Sequence, residues 1–200
     1  PIVKLDFFHA LIEDSDMVAI ADLYSSSLRE LELGGCVLLT RRTWSAISKC
    51  TKLQRLSLQI GSNRLVKEII LHDTNLEKLN LSYCVEITSA GLTDVHRLQH
   101  LRYLVLPDSV SSREISSVLG KISTLQYLEL QMTGCDIAFF REIATLQNLR
   151  ILRLRQPEIT PEILDVICKS FRKLRKLEAR FLDEFNCARA IKLNLLNELE

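Results

Sequence analysis

The 200-residue sequence predicts an α/β solenoid, a horseshoe of stacked units with parallel strands on its concave face and helices on its convex face. Three observations predict it. One short leucine pattern recurs along the chain, its spacing is nearly constant, and helix-start signals fall between its copies.

The pattern is L-x-x-L-x-L. It stands at Leu28, Leu31 and Leu33, then at Leu53, Leu56 and Leu58, and again at Leu76, Leu79 and Leu81. Further copies begin at Leu101, Leu125, Leu149 and Leu174, the last ending on Ala179. The steps between first leucines are 25, 23, 25, 24, 24 and 25 residues, a regularity that chance does not produce. Ile2, Leu5 and Phe7 fit the same template ahead of Leu28, and Leu196 and Leu199 open another copy. The expectation is one domain over residues 1–200, about seven full repeats with partial repeats at both ends. Neither end carries a polar capping repeat, so the chain reads as a piece of a longer protein.

Each unit opens with alternating leucines, the mark of a strand that buries one face. The remaining residues, about 15 per unit, must return the chain to start a parallel neighbour, which a helix does economically. Thr160-Pro161-Glu162 places an N-cap residue before a proline at the first helical position. Ser111 and Glu114 read as a capping box before Ile115–Leu119. Residues 65–71 and 139–144 are amphipathic segments at the same phase relative to their strands. No unit can bury its own apolar face, so stacking supplies the core.

Composition narrows the function. The net charge of +1 gives no general attraction to nucleic acid or an acidic membrane. No apolar run approaches the ~18 residues of a membrane span, and the charged first residues do not resemble a signal peptide. Six cysteines are spread through the chain without a C-x-x-C pair, which predicts reduced thiols in the cytoplasm or nucleus.

The segment from Leu76 through Cys84, Ile87, Thr88 and Gly91 to Leu92 closely resembles the cysteine-containing subtype of leucine-rich repeat, L-x-x-L-x-L-x-x-C-x-x-I-T-x-x-G-L. Leu28 to Cys36 has the same spacing, with Leu39 and Thr40 at the I-T positions. Cys135 is displaced by two residues, and the copies from Leu53, Leu101 and Leu149 lack the cysteine. Repeats of this subtype are typical of F-box proteins, the substrate receptors of cullin-based ubiquitin ligases. The resemblance implies a protein partner on the concave face and a ligase adaptor docked through an F-box, which these residues do not contain. The alternatives are an intracellular leucine-rich-repeat scaffold or signalling protein, and the sensor domain of a nucleotide-driven protein.

Enzyme chemistry finds little support. There is no nucleophile elbow, phosphate loop or dinucleotide fingerprint. His96 and His100 have the i, i+4 spacing of metal ligands on a helix, yet no third ligand is apparent. Gly34-Gly35 reads as a turn, and Cys36 and Cys84 as small hydrophobes buried after their strands. Asn80-Leu-Ser82 matches a glycosylation sequon, but on an expected strand. No catalytic residue, cofactor or metal is expected.

Binding is expected on the outward ladders of the strands. Tyr103, Val105, Tyr127 and Ile151 read as a contiguous apolar and aromatic patch, flanked by Arg153, Arg155 and Arg180. With Glu129 between them, these eight residues are the candidate partner-binding set, because Tyr and Arg dominate binding hot spots. The same tyrosines and isoleucine also suit a strand for its own sake. The basic run Arg172, Lys173, Arg175, Lys176 is read as solvated, with Glu178, Asp183 and Glu184 beside it, so nucleic acid is not the expected partner.

Overall fold

The computed structural model describes residues 2–59, 62–72 and 75–181, of which 156–158, 180 and 181 are placed by their backbone alone. Eight parallel strands form one open sheet in chain order. They are β1 Lys4–Asp6, β2 Glu30–Glu32, β3 Arg55–Ser57, β4 Lys78–Asn80, β5 Tyr103–Leu106, β6 Tyr127–Leu130, β7 Ile151–Ile159 and β8 Lys176–Phe181. The returning helices are α1 Asp14–Tyr24, α2 Arg42–Ile47, α3 Asn63–His72, α4 Ser112–Leu119, α5 Ile137–Glu142 and α6 Pro161–Ser170.

The second leucine of each unit lies in register with those on either side, giving a ladder through Leu31, Leu56, Leu79, Leu104, Leu128 and Leu152. Every one is buried, and burying a leucine stabilises the fold by about 1.5–3 kcal/mol. Leu5 and Leu177, with a described neighbouring strand on one side only, are partly buried. The backbone ladder extends past the strands: Leu33, Leu58 and Leu81 each donate an N–H to the next unit, to the carbonyls of Ser57, Asn80 and Val105 at 2.9–3.1 Å.

Side chains tie the other end of the strands. The residue before the first leucine reaches back one unit: Ser27 to the Ile2 carbonyl (2.7 Å), Thr124 to Leu101 (2.7 Å) and Asn148 to Ser123 (2.8 Å). These bonds satisfy turn carbonyls that no strand partner meets. The cysteines do the same after the strand. Cys36 Sγ donates to the Phe7 carbonyl at 3.0 Å, and Cys84 Sγ to Leu58 at 3.4 Å. Both are buried, as expected, but each thiol also bridges two units.

Helix starts divide. Thr160 caps α6 through its hydroxyl, which accepts from the Ile163 N–H (3.4 Å), with Pro161 at the first position. Ser111 precedes α4 as expected, yet the capping box does not form. Its backbone is held instead by Ser89, whose hydroxyl donates to the Ser111 carbonyl and accepts from its N–H. Asp136, which no sequence signal singled out, caps α5 by accepting from Phe139 N–H at 3.0 Å. The amphipathic segment 139–144 divides between α5 and a 3-10 turn, Ile143–Thr145.

The unit after β4 has no α-helix and returns through 3-10 turns at Ser89–Gly91 and Val95–Arg97. Asn63, which begins α3, holds Thr88 with two hydrogen bonds of 2.8 Å, and Gly91 packs so close that a Cβ there would lie 2.6 Å from Asn63 Oδ1. The helical face expected to carry His96 and His100 is therefore not formed. The turn ends at Arg97, and no cluster of three metal-ligating residues occurs among the described residues. No helix among them is long and apolar enough to cross a membrane.

Gly35 sits at φ +80°, a conformation glycine alone adopts without strain, and bears out the expected turn. The last two strands depart from the simple template. Between β7 and β8 the register shifts after Arg153, so that Arg180 pairs with Glu158 rather than lying opposite Arg155.

Candidate binding surface on the sheet

Two ladders converge on the face away from the helices. Tyr103 on β5, Tyr127 on β6 and Ile151 on β7 stand in register, continued by Lys78 on one side and Lys176 on the other. The tyrosine rings stack at 4.0 Å between centroids with 14° between planes. Adjacent parallel strands lie about 4.8 Å apart, so like aromatics in register are brought into stacking distance. Lys78 Nζ lies 5.5 Å from the Tyr103 centroid, and the Arg153 guanidinium 5.9 Å from that of Tyr127. Both rings are half-buried, as is Ile151.

One ladder position along, the register is Val105, Glu129, Arg153, Glu178. Glu129 is only 6% exposed. Its carboxylate accepts from Tyr127 Oη at 2.6 Å, Arg155 Nε at 2.9 Å and Arg153 Nη1 at 3.3 Å. Arg153 also holds Glu178 through Nη2 at 2.9 Å and through Nε, while Lys176 meets Glu178 at 2.7 Å.

These contacts set the charge states. Burial by itself raises the Glu129 pKa, but the bonds from Tyr127 and Arg155 and the two guanidinium charges outweigh it and leave it lowered. The Arg153 bond, then that of Lys176, draws Glu178 down to about 2. Burial, and then donation to Glu129, pushes the Tyr127 phenol well above its ordinary value, so it remains a donor. Glu129 and Glu178 are thereby held as carboxylates in a fixed brace, with the Tyr127 phenol protonated beside them.

The eight candidate residues thus take three different roles. Tyr103, Tyr127 and Ile151 form the expected contiguous surface, with Arg153 and the more exposed Arg155 beside them. Val105 and Glu129 do not present themselves to a partner. Val105 is 3% exposed, on the floor of a depression of about 370 Å³ whose walls include Phe8, Tyr83, Tyr103, Gln131 and Arg155. An outward ladder position is buried when longer side chains on neighbouring strands lean over it. Glu129 is buried because three donors converge on it. Arg180 falls out of the patch register with the shift between β7 and β8, and its side chain lies outside the described residues.

Phe8 and Tyr83 extend the surface beyond the predicted patch. Their rings meet edge-on at 5.7 Å, with the His9 ring beside both, 4.2 Å from Phe8 and 5.9 Å from Tyr83. Phe8 stands on the third outward ladder, a visible position. Tyr83 follows the strand template by one residue, and its contact with Phe8, three units away, has no sequence signal.

This architecture is a leucine-rich-repeat solenoid. A sequence profile described as "Leucine Rich repeat" matches residues 72–95. Among solved structures the chain is similar to an internalin (inlF) from Listeria monocytogenes, at 17% identity and a TM-score of 0.52. That likeness covers 100% of this chain and 66% of the internalin chain, and at this identity it concerns the fold. No curated protein matches the sequence. Solenoids of this class are protein-interaction modules: a stack of short strands offers a broad surface whose side chains vary without disturbing the leucines beneath.

Proposed function

We propose that the sheet face around Tyr103 and Tyr127 captures a protein partner, and that the chain is the substrate-recognition part of an F-box-type ubiquitin-ligase receptor. The observation that carries the binding reading is the stacked, half-buried tyrosine pair beside two arginines. Ring and guanidinium orientations are held before a partner arrives, which lowers the entropy lost on binding. Such pre-ordered Tyr and Arg side chains suit a hot spot. The finer reading rests on the cysteine-containing repeat pattern at Cys36 and Cys84. The thiols among the described cysteines fit a reducing compartment, cytoplasmic or nuclear.

In this reading the chain supplies no reacting group. It holds a substrate beside the conjugating enzyme, so that proximity raises the effective concentration of the acceptor lysine. The test is affinity purification of the full-length parent protein with mass spectrometry of its partners. Recovery of a cullin and its adaptor with the full-length protein, but not with residues 1–200 alone, supports the ligase reading. Tyr103→Ala with Arg155→Ala is expected to lose the substrate proteins while retaining the adaptor. Absence of ligase components overturns the F-box reading, and unchanged substrate recovery in the double variant overturns the assigned surface.

A further inference from the structure

On the helical side of the sheet, α2 and α3 belong to neighbouring units but do not close against each other, whereas α1 packs along α2 and α5 along α6. The gap is a cavity of about 410 Å³, within the ~300–1,000 Å³ common for small-molecule sites. It reaches inward to Leu56, a core leucine of β3, and has Trp44, Ile47 and Ile69 as apolar walls.

Two polar features distinguish it from a packing void. Trp44 is 5% exposed, and its indole N–H is buried without a hydrogen-bond partner among the described residues. Buried donors are nearly always satisfied, so a stranded one in a cavity wall marks where an acceptor belongs. The charged lining residues are not equivalent. Glu68 is occupied by Arg64 at 2.9 Å, whereas Arg41 makes no ion pair among the described residues. Apolar walls, an unmet donor and an unpaired cation together specify the chemistry of an occupant.

We propose that this cavity binds a small apolar-bodied carboxylic acid. Its hydrocarbon part lies against Trp44, Ile47, Leu56 and Ile69, and its carboxylate is taken by the Trp44 N–H and the Arg41 guanidinium. The site lies on the other side of the sheet from the tyrosine surface and is independent of what that surface binds.

Trp44 is the only tryptophan in the chain, so its emission reports on the cavity directly. The probe is octanoate, titrated into the 200-residue chain at neutral pH, with octylamine as the match of equal length and opposite charge. A saturable change in Trp44 emission is expected with octanoate, and binding of octylamine at least about tenfold weaker. Arg41→Gln, at an exposed position, should weaken octanoate by about tenfold. Ser48→Phe, which fills the cavity from an exposed lining position, should abolish the response without lowering Tm. Trp44→Phe keeps the apolar wall and removes the donor, and calorimetry should show a several-fold loss. The proposal is overturned by no saturable response up to about 10 mM octanoate, by equal binding of octylamine, or by undiminished binding in Ser48→Phe.

Discussion

Replacing Glu129 with alanine removes the acceptor at the centre of the brace on the sheet. The carboxylate is buried and accepts from Tyr127, Arg155 and Arg153. A hydrogen bond to a charged group contributes about 1.5–3 kcal/mol when buried. The side chains of Arg153 and Arg155 are 27% and 53% exposed, so water recovers much of what they lose. The Tyr127 hydroxyl and the loss of packing under the ring remain, and the expected cost is about 2–3 kcal/mol. For a chain of this length about 1 kcal/mol shifts Tm by about 2–4 °C, so a fall of about 4–12 °C is expected. Arg155→Ala, which removes only the exposed partner, should cost about 0.5–1 kcal/mol. Thermal melts and urea titrations followed by circular dichroism measure both, and the double variant should cost less than the sum of the two singles. A Glu129→Ala variant as stable as the parent, or an Arg155→Ala variant equally damaged, would refute the reasoning.

The same brace predicts a pH dependence. The folded-state pKa values of Glu129 and Glu178 lie below the unfolded value of about 4.3, that of Glu178 at about 2. Their stabilisation is therefore complete above the unfolded value and lost as pH falls through the folded ones. Urea midpoints should drop between about pH 5 and 2, and Glu178→Gln should show a shallower drop; superimposable profiles would exclude the contribution. Gly35→Ala should destabilise by about 1–2 kcal/mol through its positive φ alone. A Cβ there would also run into the His9 ring, so adding His9→Ala should recover only the steric part, and full recovery would contradict the backbone argument. Among the described cysteines Cys168 is the least buried, while burial, with Asp136 adding to it, pushes the Cys135 thiol up to about 12. In a Cys187→Ser background iodoacetamide should modify Cys168 before Cys135, as peptide mapping would show; the reverse order would contradict the burial assignment.

Strand register was legible because it rests on one inward leucine per unit, and a slip of one residue would turn every leucine outward. The bridges from Ser27, Thr124 and Asn148 had a readable signal as well: a polar residue stands just before the first leucine of each full unit, and in these three it is small. The binding surface was only half legible. Tyr103, Tyr127 and Ile151 follow from alternation along single strands and from the repeat that aligns them. The burial of Val105 and Glu129 depends on side chains from neighbouring strands, whose lengths and directions no single unit specifies. The ligand set of Glu129 shows the same limit, since Arg153 and Arg155 lie one unit further on.

The sequence by itself determined the repeat, the parallel sheet and the outward ladders, because all three are consequences of local periodicity. Only the tertiary structure decided the replacement of a helix by 3-10 turns near Asn63, the register shift between β7 and β8, the closing of Glu129 and the gap between α2 and α3. Each of these depends on how one unit meets the next, where distances between side chains about 25 residues apart set the outcome and composition within a unit does not.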